Sequence, residues 1–244
     1  MVPVLANRFY VKVPLVIGES LIEGSEHHHL ANVLRLKQGE TITLFDGQGN
    51  EAKAILNSVG KRHSVVGITH VLNRKGVLPF RLVIGSALPK GDREMFLIEK
   101  LTELGVQEII PLQTQYSVVH PKDAQSRLGR YALEACKQCG RNQLPFIGNL
   151  TLLSDFFREG NGSTRLLLHP GAISSSEPFG PSGSTLPEYR LAIGPEGGFS
   201  QEECREAVAH GFQIWSLTPN IFRIETAALV AASFLASMWT HNNP

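Results

Sequence analysis

From Arg81 to the carboxyl end, short apolar runs alternate with longer amphipathic stretches, and this alternation leaves few architectures open. "RLVIGSAL" reads as a buried strand, "DREMFLIEKLTELG" as a helix closed by Gly105, and "VQEIIPL" as the next strand. A helix over "RLGRYALEACKQCG", strands at "TRLLLH" and "YRLAIG", a helix at "QEECREAVAHG" and a strand at "FQIWSL" continue the series. A last helix is predicted from about Glu225 to Trp239. Such alternation predicts an α/β fold, a mainly parallel sheet covered by helices. Between two of the strands, "PGAISSSEPFGPSGSTLP" has the Gly, Ser and Pro content of a long loop rather than a domain break.

The first 70 or so residues follow another rule. "RFYVKV", "ETITLFDGQGNEAKAIL" and "HSVVGITHVL" alternate or carry β-branched residues, and Asp46-Gly47 with Gly49-Asn50 supplies a turn between two strands. One helix interrupts this mostly β unit, with Ser25 as N-cap before "EHHHLANVLRL". "LNRKGVLPF" is polar and broken enough to link the two parts, which places domains at 1–74 and 75–244. The chain of 244 residues can bury a core in each.

Composition narrows the class. Apolar residues make up 42% and charged residues 18%, with both signs present, as in a folded globular protein. The longest apolar candidate, "AALVAASFLASMW", has 13 residues and is too short to span a bilayer, and "MVPVLANRFYVKVP" lacks the zones of a secretory signal. A cytoplasmic protein with no membrane partner is expected, and its three cysteines fit reduced thiols. A formal net charge of +1 neither requires nor excludes nucleic acid, since a local basic patch can be offset elsewhere.

Two stretches carry the chemistry. In "LAIGPEGGFS" a strand ends, Gly194-Pro195 turns the chain, and Ser200 with Glu203 forms a capping-box pattern for the next helix. Strand carboxyl ends are where open α/β sheets bind ligands. The spacing is neither a dinucleotide fingerprint nor a P-loop, and Glu196 places a carboxylate where a phosphate would be repelled. A neutral or cationic ligand approached by glycine backbone suits the turn; the alternative is that the glycines only permit a tight bend. "LTPNIFRIETAAL" repeats the arrangement of strand end, turn and Ala-rich helix, so the two loops are candidates to line one cleft.

The combination of "ALPKGDREMFLIEKLTELGVQEIIPL", "EACKQCGR", "IGPEGGFS" and "FRIETAAL" resembles the RsmE family, and with "HHHLANVLRLKQGETITLFDG" the resemblance covers nearly the whole chain. It implies an enzyme that methylates N3 of a uridine in 16S ribosomal RNA of the small ribosomal subunit, using S-adenosylmethionine. It also implies a small PUA-like β-barrel before a SPOUT methyltransferase domain with a carboxyl-terminal trefoil knot, and a homodimer. The cofactor loops implied are Leu167–Pro170, Ile193–Gly198 and Ser216–Arg223. Their cofactor-binding candidates are Leu168, His169, Ile193, Gly194, Glu196, Gly197, Gly198, Ser216, Leu217, Asn220, Ile221, Arg223 and Thr226. Backbone groups of Gly194, Gly198, Leu217 and Ile221 are the ones expected to hold adenine and ribose. One departure stands out: Thr218 and Asn220 occupy positions where the family pattern has glycine and arginine.

Methyl transfer from a sulfonium asks the protein to place N3 in line with the methyl carbon and to assist loss of the N3 proton. Arg223 is the candidate cation near the uracil carbonyls, and Glu225, with Glu196 as its alternative, the candidate proton acceptor; either carboxylate can instead orient Arg223 or cap a helix. Arg8, Arg35, Lys90, Arg93, Gln138 and Arg141 are candidates for RNA contact, with Lys12, Lys37 and Lys137 as further cations. His27-His28-His29 and Cys136-x-x-Cys139 suggest no metal, because neighbouring helical residues diverge and no second cysteine pair exists. Two other classes fit less of the chain: an RNA-binding protein of this fold without catalysis, and a methyltransferase for another RNA base.

Overall fold

The computed structural model describes residues 7–73, 78–118, 124–160, 162–170 and 187–242. The middle of the predicted linker, residues 74–77, and nearly all of the Gly/Ser/Pro loop after Pro170 lie outside the described residues. The chain forms two compact units. One holds the described residues up to 73 together with Leu133–Leu144; the other holds those of 78–132 and from Pro145 onward.

The first unit is a five-stranded mixed sheet in the order β1-β3-β4-β5-β2, built from β1 (Arg8–Tyr10), β2 (Gly18–Glu23), β3 (Thr41–Phe45), β4 (Asn50–Val59) and β5 (His63–Asn73). Period-two patterning explains the long strands: Ala52, Ala54 and Leu56 are buried while Lys53, Ile55 and Asn57 face out. The β3–β4 turn forms as its Asp-Gly signal predicts. Both Gly47 and Gly49 have positive φ, and Asp46 Oδ1 accepts hydrogen bonds from the backbone of Gln48 and Asn50 at 2.8 and 3.1 Å. The expected helix is shorter and looser. α1 (Gly24–His28) is capped at Glu23 without a side-chain bond, so Ser25 lies inside it, and His29–Val33 continues as a π-helical turn that buries Leu30. His27 bonds Ser64 Oγ at 2.9 Å in the interior, and His29 packs edge-on against Phe9.

The second unit is a sheet whose ladders are all parallel, with main order β12-β10-β11-β6-β7-β8. In chain order it comprises β6 (Arg81–Ser86), α2 (Asp92–Glu103), β7 (Glu108–Gln113), α3 (Ala124–Cys139), β8 (Phe146–Ile147), β9 (Thr151–Leu152), α4 (Leu153–Arg158), β10 (Thr164–Leu168), β11 (Glu188–Ile193), α5 (Gln201–Ala209), β12 (Gln213–Trp215) and α6 (Ile224–Asn242). The predicted α/β alternation is therefore present; β8, β9 and α4, too short for a periodic signal, are additions. α3 belongs to the second unit up to Ala132 and to the first beyond it. No helix among the described residues is long and apolar enough to cross a membrane.

Register fixes where the strands end. Trp215 pairs with Leu168, Leu168 with Ile193, and Ile193 with Ser86, so the last residues of β12, β10, β11 and β6 form one row across the sheet. Two hydrogen bonds extend the ladder past that row, from His169 N–H to the Trp215 carbonyl at 3.0 Å and from Ala87 N–H to the Ile193 carbonyl at 2.9 Å. Beneath it, Phe80, Leu82, Ile84, Leu97, Leu191 and Ala228 pack one face, and Val83, Phe156, Phe157, Leu167, Ala192 and Phe212 the other.

Gly85 shows how closely that second face is filled. A Cβ there would lie 2.7 Å from the Phe156 ring and 2.9 Å from Leu112, both fully or almost fully buried, with Phe156 also covered by the Arg190 guanidinium at 4.0 Å. Gly85→Ala is expected to lower stability by about 1–3 kcal/mol in urea unfolding, the usual cost of overpacking a filled core. An unchanged midpoint would show that the ring can move aside.

Candidate active site

The row of strand ends opens into a cavity of about 240 Å³. Its walls come from the loops after β10 (Leu168–Pro170), β11 (Ile193–Phe199) and β12 (Trp215–Phe222, Pro219 excepted), and from Ile224 and Ala227 at the start of α6. The glycine turn is closed by the Gly198 N–H on the Pro195 carbonyl at 2.8 Å, and Gly198 has φ +72°, a conformation that disfavours any side chain. Close approach explains the other two glycines. A Cβ on Gly194 would meet the Phe199 ring at 3.1 Å, and one on Gly197 would meet Tyr116 Cβ at 3.1 Å.

The predicted capping box anchors this turn from the far side. Ser200 Oγ accepts from Glu203 N–H at 3.2 Å, and Glu203 Oε2 accepts from Ser200 N–H at 2.7 Å. The other oxygen of Glu203 accepts from the backbone N–H of Gln115 at 2.8 Å, which ties the loop after β7 to α5.

The third wall is held by side chains at the positions that depart from the family pattern. Ser216 Oγ donates to the Thr218 carbonyl at 3.1 Å, and Thr218 Oγ1 accepts from the Asn220 N–H at 3.4 Å. Among the described residues only Asn7 and Arg35 combine a side chain with positive φ. Thr218 therefore has an ordinary backbone conformation, and nothing at this position demands glycine.

Of the residues expected at a cofactor, Leu168, His169, Ile193, Gly194, Glu196, Gly197, Gly198, Ser216, Leu217, Asn220 and Ile221 line the cavity, whereas Arg223 and Thr226 do not. Arg223 and Thr226 are exposed at the α6 start, and Glu225 between them is buried. Pro170 and Phe222 line it as members of the implied loops, whereas Phe199, Trp215, Ile224 and Ala227 lie outside all three loops and were missed, although Trp215 follows directly from its place at a strand end. Among the described residues no lysine or arginine lines the cavity, and the one carboxylate that does is that of Glu196.

Comparisons with known proteins agree with this geometry. The family model for an RNA methyltransferase domain matches residues 77–236, and that for an RNA methyltransferase PUA domain matches residues 22–69. Ribosomal RNA small subunit methyltransferase E of Bacillus subtilis is 32% identical over 233 residues, covering 88% of each chain. The chain belongs to the RsmE family. A putative methyltransferase from Legionella pneumophila, solved in complex with its bound cofactor S-adenosylmethionine, superposes with a TM-score of 0.87 at 35% identity, covering 95% of this chain and 97% of the other. RsmE of Neisseria gonorrhoeae bound to S-adenosylmethionine gives 0.86 at 28% identity over 96% and 98%. The first unit thus contains the PUA-type domain, and the parallel sheet is that of a SPOUT-type methyltransferase, as the resemblance implied.

The candidate RNA contacts of this RsmE protein separate into two groups. Arg35, Lys90 and Gln138 are exposed. Arg8 is buried: it donates to Glu51 at 2.8 Å and to Asn142 at 2.6 Å and lies 4.9 Å over the Phe45 ring. Arg141 is buried in the same unit, where burial pulls its guanidinium pKa down. Arg93 forms ion pairs with Glu196 and Glu225. Lys137 is tied to Glu26 and Glu134, the second pair at 3.0 Å.

The Cys136-x-x-Cys139 pair is divided by burial. Cys136 lies inside, where burial pushes its thiol up to about 12 against a weaker opposing pull from the Arg141 guanidinium, while Cys139 is exposed. A thiol with that pKa is protonated at pH 8 and a poor nucleophile. Iodoacetamide at pH 8 is expected to label Cys139 in the folded protein and leave Cys136 unmodified by peptide mass analysis. Equal labelling would contradict the burial of Cys136.

Proposed function

We propose that this chain transfers the methyl group of S-adenosylmethionine to N3 of a uridine in 16S ribosomal RNA, acting on the small ribosomal subunit in the cytoplasm. The observation that carries this reading is the cavity at the strand ends, which among the described residues combines glycine backbone, apolar walls and one carboxylate with no lysine or arginine. Nucleotide phosphates call for cations or an array of N–H donors. A sulfonium calls for neither, and the Glu196 carboxylate favours its charge.

The residues present fit such a cofactor. Gly194 and Gly198 bring bare backbone to the cavity, while Leu217 and Ile221 face them from the loop after β12. Backbone groups of these four hold adenine and ribose in this reading. Leu168, His169, Ile193, Gly197, Ser216 and Asn220 complete the walls, with Arg223 and Thr226 beside the mouth. Bound there, the cofactor supplies an electrophilic methyl group on a cationic sulfur.

The remaining work falls to side chains at the α6 start. The N3–H of uracil must be lost as the N3–carbon bond forms and the sulfur–carbon bond breaks, leaving S-adenosylhomocysteine. Arg223, exposed and therefore free to meet the base, favours the imide anion by placing a cation near the uracil carbonyls. Glu225 accepts the N3 proton. Its burial and its place in the first turn of α6 hold the carboxylate at a fixed position.

RNA is held through Arg35, Lys90 and Gln138, whose exposure leaves them able to reach phosphates and bases. Arg8 and Arg141 act from within the fold, with Arg8 fixing the segment around Asn142. We further infer a homodimer, supported by the partly exposed Val230 and Phe234 on α6, and a knotted passage of the carboxyl-terminal chain of the kind the family resemblance implies.

Calorimetric titration with S-adenosylmethionine tests the cavity assignment. The parent is expected to bind and Gly198→Val to lose binding, because a β-branched residue resists φ +72° even though the space beside Gly198 is open. Nucleoside analysis of 16S RNA from a strain lacking the gene should show one 3-methyluridine missing. A folded parent that binds no cofactor would overturn the reading.

A further inference from the structure

Arg93 was expected at RNA, yet its guanidinium is shared between two carboxylates of the candidate site. The residue stands in the first turn of α2, after Gly91 with φ +65°, in the loop that leaves β6 at the row of strand ends. Nη2 lies 3.3 Å from Glu196 Oε1 and Nη1 lies 3.9 Å from Glu225 Oε2.

The two contacts differ in kind. Glu196 is half exposed, at 47% of its side-chain area, so its pair with Arg93 is screened by water and weak. Glu225 is 9% exposed, and its Oε2 has no hydrogen-bond donor among the described residues. A distance of 3.9 Å leaves the charges attracting each other without a hydrogen bond. A buried carboxylate oxygen in that condition gains more from a donor than an exposed one does. The guanidinium is therefore held away from its better partner by its weaker one.

We propose that Arg93 is a positioning residue that couples occupation of the cofactor cavity to the carboxylate of Glu225. This rests on the cofactor and proton-acceptor assignments given above. Glu196 lines the cavity, so a cationic ligand bound there competes with Arg93 for the same carboxylate. Released from Glu196, the guanidinium closes on Glu225 Oε2 and fixes that carboxylate in one orientation. The proton acceptor is thus set only after the cofactor is in place, and the charge of the sulfonium carries the signal.

S-adenosylhomocysteine, which has the same adenosine and amino acid but a neutral sulfur, isolates that signal. In calorimetry with the full-length protein, Arg93→Ala is expected to leave homocysteine-product affinity unchanged and to tighten S-adenosylmethionine several-fold, because Glu196 is then free for the sulfonium. In methylation assays at saturating cofactor, the same variant is expected to lose about 100-fold in kcat, the scale of a misplaced catalytic group. Arg93→Lys, which keeps a charge without the fork, should recover part of kcat. A ratio of S-adenosylmethionine to S-adenosylhomocysteine affinity that is unchanged or lower in Arg93→Ala would overturn the coupling, as would parallel losses of cofactor affinity and kcat. Should Arg93→Ala fail to fold, the ratio is read in Arg93→Gln, which removes the charge from Glu196 while keeping a long polar side chain, and the same rise or its absence decides. A parent that binds neither ligand would overturn the cofactor assignment itself and this coupling with it, whereas a parent that binds and methylates confines any failure to Arg93.

Discussion

Four parallel strands stopping at one level is the constraint on which the site depends. A parallel ladder sets that level through backbone hydrogen bonds, and β11, paired on both edges and covered on both faces, cannot slip without moving its whole apolar set. The loops after β6, β10, β11 and β12 consequently start from fixed points a few ångströms apart. His169 and Ala87 prolong the ladder by one bond each, so the first residue of two of those loops is as rigid as the sheet. Burial then falls along the loop after β12: Trp215 is buried, while Ile221, lining the same cavity, is 81% exposed. A cavity built this way has a firm floor and an adaptable lip, which suits a small cofactor beneath a large polymer.

What was legible in the sequence was whatever acts over a few residues. The strand and helix alternation, the Asp-Gly turn and the Ser200–Glu203 capping box all depend on neighbours within one turn, and all appear as read. What escaped depends on distant partners. Arg8 looks like an exposed cation beside an aromatic, yet Glu51 is 43 residues away and Asn142 is 134, and these partners draw it inside. Helical periodicity identifies the buried face of α3 and is silent on which core receives it; the face changes allegiance at Leu133. In the π-helical turn after His28 the fault lies with period itself, since a widened turn rotates the residues after it away from the 3.6-residue pattern.

The Thr218 and Asn220 positions separate what a motif records from what a fold needs. A glycine in a family pattern can mark a left-handed backbone, a close contact or only a flexible bend. Here the backbone is right-handed or extended, and a threonine hydroxyl closes the turn by accepting the Asn220 N–H, an interaction glycine cannot make. The loop is therefore pinned by side chains. Ser216 adds a second pin onto the Thr218 carbonyl. A wall so ordered in advance loses less conformational entropy when a ligand closes against it.

Charge distribution gives the site its direction. Among the described residues the cavity wall carries a single carboxylate and no lysine or arginine, a second carboxylate is buried beside the α6 N-terminus, and Arg93 and Arg223 lie outside the wall. In that arrangement a cationic ligand and an acidic substrate proton meet opposite requirements within one small volume. Negative charge must be available to the sulfonium first and to the departing proton later. In the proposed assignment two separate glutamates meet the two requirements, Glu196 half exposed and Glu225 buried. A half-exposed carboxylate attracts a cation at little desolvation cost on arrival, whereas a buried one is held in place by its surroundings. In that assignment the difference in burial between these two residues, set by a turn at a strand end in one case and the first turn of a helix in the other, is what divides the labour between them.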